Sequence, residues 1–230
     1  MGDEFDDREA LTAYLGRQIS ARRKGRMEDV LASRTRLLTI ALEDIYQPHN
    51  ASAVMRSCEC FGVQDVHIIE NRNEYCLNPD VDMGASHWLT LHRYRQEGID
   101  NTAVALNALK ERGYRLVATT PHRDGCALDD LPVTGPLALL FGTEELGLSA
   151  GALALADDYI HIPMCGFTES LNISVCAALA LRELTRTLRI NGFQWALSDE
   201  EKAELRLAWY RRSVRGAELL EQRFFVERGR

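Results

Sequence analysis

The sequence predicts an α/β domain built on a mainly parallel sheet, with a helical extension at each end. Two observations predict it. Between residues 37 and 190, short apolar runs rich in Leu, Ile and Val alternate with longer amphipathic stretches, the pattern of strands crossed over by helices. Polar residues then gather where the apolar runs stop, at 48–50, 119–121, 142–144 and 162–172, and that edge is where open parallel sheets hold ligands. The chain accordingly divides into a helical extension (1–36), the α/β domain (37–190) and a second helical extension (191–230).

Each element has its own signal. Residues 8–34 read as helix, with Leu11, Tyr14, Leu15 and Ile19 at helical spacing. LLTIALEDI is a buried strand that stops at Tyr46-Gln47-Pro48-His49. Asn50 stands where a helix N-cap belongs, ahead of ASAVMRSCECF, and Gly62 takes the C-cap position. VQDVHIIE is the next strand, and a polar loop, NRNEYCLNPDVDMGASHWL, leads to a short strand, LTLHRY. Residues 101–112 form a helix ended by Gly113, followed by the strand YRLVATTP. LALLFGTEELGLS is a strand running into a glycine-bounded loop. A short helix over 150–156, the strand YIHIPM and a long apolar helix over 171–188 complete the domain, and 198–228 read as an amphipathic helix pair.

Composition narrows the class. The 230 residues are 46% hydrophobic and 27% charged, enough to bury a real core. No run approaches the roughly 18 apolar residues of a membrane span, and the acidic start MGDEFDDREALTAYL lacks a secretory signal's apolar core. Six cysteines show neither CxxC pairs nor disulfide-framework spacing, so a reduced, cytoplasmic setting is expected. The net charge of -7 conceals two basic ends, RQISARRKGR and YRRSVRGAELLEQRFFVERGR. Phosphate binding answers to local charge, so Arg22, Arg23, Lys24, Arg26, Arg211 and Arg212 are candidate RNA contacts. Solvated helix faces are the alternative.

Three strand ends carry groups a core does not require. Arg56 lies in an otherwise small and apolar helix, where an unpartnered buried guanidinium costs several kcal/mol. It is therefore expected to face a cleft and to suit phosphate. Gly142 ends a strand and lets another group approach the backbone, with Glu144 two residues on. The knuckle GFTESLN crowds Thr168, Glu169, Ser170 and Asn172 between a strand and a helix. There is no P-loop, G-x-G-x-x-G, HExxH or G-x-S-x-G. No metal cluster is expected. The histidines at 49, 67, 87, 92, 122 and 161 are scattered along the chain and read as structural or exposed, with His49 kept in view beside Asn50.

Pro48-His49-Asn50-x5-Arg56, LLFGTEELGLS and IPMCGFTESLNISVCAALAL, in that order, resemble the three motifs of the SpoU/TrmH family of SPOUT RNA ribose 2'-O-methyltransferases. The resemblance runs from about Leu37 to Leu188, and MGASHWLTLHRY with the arginine-rich ends is most similar to the tRNA guanosine-18 members. It implies a SPOUT-type sheet with helices on both faces and a C-terminal trefoil knot, a feature patterning would never suggest. It also implies S-adenosylmethionine held bent in the knot loops. A homodimer is implied as well, with active sites completed across the interface and the apolar helix after the knuckle packed on the second subunit. Carried over by position, Arg56 is the catalytic arginine and Asn50 its neighbour, Glu144 the second motif's acidic group, and Ser170 and Asn172 the polar groups of the third. Thr119, Gly142, Ile162, Met164, Ser170 and Leu171 line the cofactor pocket. Because a guanidinium stays protonated, Arg56 is read as binding phosphate and orienting the ribose oxygen.

The expected reaction is methylation of the 2'-hydroxyl of the D-loop guanosine-18 of tRNA. Rival readings are the same chemistry on 23S ribosomal RNA or another tRNA position, and a non-catalytic RNA-binding protein, against which the intact Asn50, Arg56, Ser170 and Asn172 argue. A nicotinamide-binding enzyme on a doubly wound sheet lacks its glycine fingerprint here.

Overall fold

The computed structural model describes residues 2–121 and 125–228, with backbone alone for residues 2–6. In chain order the elements are α1 (Gly2–Gly16), α2 (Ala21–Leu31), β1 (Leu38–Glu43), α3 (Pro48–Phe61), β2 (Asp65–Ile69), α4 (Pro79–Asp82) and β3 (Thr90–Tyr94). There follow α5 (Asn101–Glu111), β4 (Arg115–Thr119), β5 (Cys126–Ala127), β6 (Leu137–Phe141), α6 (Ala150–Leu155), β7 (Asp158–His161), α7 (Ile173–Ile190), α8 (Asp199–Ser213) and α9 (Ala217–Glu227). They form two compact units, residues 35–195 and residues 1–34 with 196–230. The two helical extensions are thus parts of one unit.

In the larger unit all seven strands run parallel, in the order β3-β2-β1-β6-β4-β7-β5. Period-two alternation splits each central strand between two cores. Leu38, Ile40 and Leu42 of β1, with Leu137, Leu139 and Phe141 of β6, join Val54, Met55 and Cys58 of α3 and Ala177, Leu181 and Leu184 of α7 on one face. Ala41, Ala138 and Leu140 turn the other way, onto Leu106 and Leu109 of α5 and Ala152 of α6. Both faces being covered explains why these strands read as continuous apolar runs.

The helical unit packs α1 on α8 and α9, and α2 on α8, around Leu11, Leu15, Met27, Leu31, Trp209 and Phe224. Arg34 is fully buried there with its guanidinium 5.5 Å from the Trp209 ring centre.

Several expected boundaries are corrected. The helix read over 8–34 is two, because the Ser20 hydroxyl accepts from the Arg23 amide and starts a new one. Asn50 is not an N-cap: Gln47 holds that place with Pro48 at the first helical position, where its fixed φ is already helical and no N–H is needed. Asn172, read as inside the last helix, is its N-cap and accepts from the Ser174 amide. The polar loop after β2 contains α4 and a 3-10 turn over Ala85–Trp88. No helix among the described residues is long and apolar enough to cross a membrane.

Candidate active site

At the carboxyl ends of β4, β6 and β7 the chain encloses a cavity of about 370 Å3. Its base is apolar, from Leu128, Phe141, Ile160, Ile173 and Ala180, and its rim is polar. The wall after β6 is a tight loop: Thr143 and Gly147 exchange amide–carbonyl bonds of 3.0 and 2.9 Å, with Gly147 at φ 68°. That closure explains Gly142. A Cβ there would stand 2.1 Å from the Gly147 carbonyl, so the close approach is made by the chain's own backbone.

The opposite wall is the segment after β7. From Pro163 to Ser170 every residue is exposed, and Phe167 is fully so. Its last residue, Asn172, is a junction. The side-chain amide of Asn172 donates to Asn50 Oδ1 (3.0 Å) and to Glu144 Oε1 (2.7 Å). The Asn172 oxygen accepts from the Ser174 amide (2.9 Å) and hydroxyl (2.5 Å), capping α7. Asn50 is buried and passes the chain on, donating to Gln47 Oε1 at 3.0 Å. Three separate stretches of sequence, around residues 50, 144 and 172, therefore meet at the cavity rim.

Of the expected pocket residues, Thr119, Gly142, Glu144, Ile162, Met164, Ser170, Leu171 and Asn172 all line this cavity. The Thr119 hydroxyl is committed to the Leu140 carbonyl at 2.7 Å, whereas the Ser170 hydroxyl has no protein partner among the described residues. Arg56 departs from expectation. It does not line the cavity and stands exposed on α3 without an ion pair among the described residues. Six residues of helix rotate the chain by about 240° and advance it about 9 Å, so the face that buries Asn50 cannot also present Arg56. Exposure, not a cleft within this chain, removes the cost of its charge.

On the helical unit, Arg22, Lys24 and Arg26 carry no side-chain partner among the described residues. Arg23 reaches Ser213 Oγ at 3.4 Å. Arg211 is committed to both carboxylate oxygens of Glu221 (2.8 and 3.0 Å), which removes it from the unengaged phosphate contacts, and Arg212 is exposed but engaged.

The histidines are not all scattered. His67 and His92 stack with ring centres 4.5 Å apart, and His92 Nε2 lies 3.2 Å from Asp65. His49 is exposed without a polar partner among the described residues, and His122 lies outside them. Sequence reasoning singled out neither Leu128 nor Cys176; both line the cavity. Burial pushes the Cys176 thiol up to about 11, so it is a wall and not a nucleophile. No group of three or more His, Cys, Asp or Glu is placed to hold a metal among the described residues.

Comparison with known proteins matches this architecture. Residues 37–182 match the SpoU rRNA Methylase family. A tRNA (guanosine(18)-2'-O)-methyltransferase of Borreliella burgdorferi is 42% identical over 207 residues, covering 90% of this chain and 93% of the relative. The enzyme of the same description from Thermus thermophilus is 37% identical over 170 residues, 74% of this chain and 85% of its own. Among solved structures, a TrmH/SpoU tRNA modifying enzyme of A. aeolicus superposes with a TM-score of 0.75 at 28% identity, over 84% of this chain and 98% of that one. The SpoU methyltransferase AviRb from Streptomyces viridochromogenes, in complex with AdoMet, superposes with a TM-score of 0.59 at 28% identity, over 71% of this chain and 65% of that one. A parallel sheet with two loops closing one cavity, a three-stretch polar junction at its rim and a match spanning most of the sheet unit lead to one assignment: the chain belongs to the SpoU rRNA Methylase family.

Proposed function

We propose that this protein is an S-adenosylmethionine-dependent RNA 2'-O-methyltransferase that acts in the cytoplasm on guanosine-18 of the tRNA D-loop. One observation carries the reading. The Asn50–Asn172–Glu144 junction sits at the rim of a mixed apolar and polar cavity, so a ligand in the cavity and a ribose at its mouth would share a wall. The names of the relatives, each a tRNA (guanosine(18)-2'-O)-methyltransferase, support the substrate.

The cavity's chemistry fits the cofactor. Its apolar base suits an adenine ring, and its polar rim, with Ser170 and Glu144, suits the charged methionine portion. When bound, S-adenosylmethionine supplies a methyl group already activated on a sulfonium, so no metal is required. Thr119, Gly142, Ile162, Met164, Ser170 and Leu171 would hold it. Asn172 and Glu144 would fix the ribose, and holding the 2'-oxygen in line with the methyl group lowers the barrier by removing positional freedom. Arg56, permanently cationic and exposed, would bind the substrate phosphate and orient the oxygen for a second copy of the chain. Helices α3 and α7 pack together on one sheet face, and exposed Val175 and Leu179 on α7 supply an apolar surface for that homodimer. The trefoil knot belongs to the same proposal, supported by the likeness to the A. aeolicus structure. So does the assignment of the helical ends, 1–36 and 191–230, to RNA binding, for which Arg22, Lys24 and Arg26 offer cations with no side-chain partner among the described residues.

The test is transfer of labelled methyl from S-adenosylmethionine to separate tRNA and 23S ribosomal RNA transcripts, followed by mapping of the ribose. Label at guanosine-18 is expected. An Arg56→Ala variant should lose about 100-fold or more in turnover with cofactor affinity unchanged. Label confined to ribosomal RNA would overturn the substrate, and near-normal turnover by the variant would overturn the role of Arg56.

A further inference from the structure

A second cavity, of about 650 Å3, opens beside the first and shares Leu146 and Gly147 with it. Glu43 and Asp44 at the end of β1, Asn71 and Arg72 after β2, Asp100 and Thr102 at the start of α5, and residues 146–151 line it. It lies where the sheet divides, since the chain runs outward from β1 to β2 and β3 and then crosses back to β4 on the far side of β6. Open α/β sheets receive ligands at that crevice. The catalytic reading leaves this cavity unused.

Its wall is built and rigid. Buried Glu43 accepts from the Thr102 hydroxyl (2.6 Å), the Ser149 amide (2.8 Å) and the Ser149 hydroxyl (2.7 Å). Asp44 sits in the left-handed region at φ 52°, and its Oδ1 accepts from the amides of Asn71, Arg72 and Asn73 at 2.7, 2.8 and 3.3 Å. Its Oδ2 has no protein donor among the described residues. The Arg72 side chain likewise has no partner among them, and Leu146, on the wall common to both cavities, is 71% exposed.

We propose that this second cavity receives the guanine base of the nucleotide whose ribose is methylated. The proposal rests on the methyltransferase reading of the first cavity. A ribose at the Asn50–Asn172–Glu144 junction carries its base one glycosidic bond away, and the wall at Leu146 offers an apolar surface for a base face. The fixed Asp44 oxygen is an acceptor awaiting a donor. Guanine presents N1–H and an exocyclic amino group on its Watson–Crick edge, whereas adenine turns an acceptor, N1, to the same place. Carboxylates at Asp44 and Asp100 repel phosphate, so the cavity suits a base and leaves Arg72 at its mouth for the backbone.

Two variants test this. Asp44→Asn keeps Oδ1 for the three amides and tolerates the left-handed φ, while exchanging the awaiting acceptor for a donor. Gly151→Leu fills the space: a Cβ there would meet only Ser149 Oγ, at 3.7 Å. The readouts are cofactor affinity by calorimetry and kcat/KM on tRNA carrying guanosine or adenosine at the methylated position. Both variants should bind S-adenosylmethionine as the native protein does and lose roughly 10- to 100-fold on guanosine tRNA. Asp44→Asn should also narrow the preference for guanosine over adenosine. Unchanged kcat/KM and preference in both variants would overturn the proposal. Native protein that binds cofactor yet methylates no RNA would overturn the transferase reading, and this one with it.

Discussion

Asn172 carries more of the site than any other side chain, because its two ends serve different purposes. Its oxygen caps α7 and its amide holds Asn50 and Glu144 together. Asn172→Asp separates the two. The cap survives, but a carboxylate then faces Glu144 where a donor stood at 2.7 Å. Turnover should fall about 100-fold and thermal stability should fall with it, since the exposed Glu144 side costs little but the buried Asn50 Oδ1 loses its donor. Asn172→Ala should add about 1 kcal/mol of destabilisation from the lost cap, measurable by urea unfolding. Turnover unchanged in Asn172→Asp would remove the junction from the reaction. The residues of this site were legible in the sequence because polar groups at strand ends exceed what a turn needs. The place of Arg56 was not. A cleft was inferred from its small apolar neighbours and the cost of burying its charge among them, but a helix can be apolar on the face it packs while one position looks outward to solvent.

At the scale of elements, Gly142 decides whether the wall after β6 can form. Gly142→Ala places a methyl group 2.1 Å from the Gly147 carbonyl and 2.3 Å from the Leu148 amide, all backbone atoms that cannot step aside. The 143–147 closure must open, with a cost of about 1–3 kcal/mol, and cofactor affinity should drop at least about tenfold. Gly135→Ala, where nothing lies within 4 Å of the added carbon, is the control. Equal cofactor affinity and equal melting of the two variants would contradict this account. Close approach at Gly142 was readable from its position; its partner, Gly147, five residues further along the same loop, was not. The two-residue strand β5 shows the opposite limit. It is too short for any periodicity, and it fits only because Gly125 has no Cβ to meet the Tyr159 carbonyl 2.3 Å away.

Across the whole molecule, the strands and their parallel sense were legible because both faces are covered, which makes each strand a continuous apolar run. Lateral order was not, since periodicity says nothing about which strand lies beside which, and β6 lies between β1 and β4. The cluster near the start of β2 was also hidden, because β2 and β3 bring together histidines 25 positions apart. That cluster should set how the sheet unit responds to acid. Burial is the main reason His67 is pushed down to about 3; the neighbouring charges of His92 and Arg112 push the same way, and Asp65 opposes them. His67 is 1% exposed and lies 3.1 Å from the Tyr94 hydroxyl. The folded unit therefore keeps His67 neutral where the unfolded chain takes up a proton. Stability is fully present above about pH 6.5 and falls as pH drops toward 3, by up to about 1.4 kcal/mol per pH unit. Burial also raises Asp65, but the His92 hydrogen bond and the charges of Arg36, His92 and Arg112 outweigh it and hold it low, so its contribution is lost only below the usual carboxylate range. His67→Gln keeps a partner for Tyr94 and removes the titration. Between about pH 6.5 and 5 the native protein should lose roughly 2 kcal/mol more than this variant in urea unfolding followed by circular dichroism. Parallel pH curves for the two proteins would show that His67 is not the group that couples this sheet to acid.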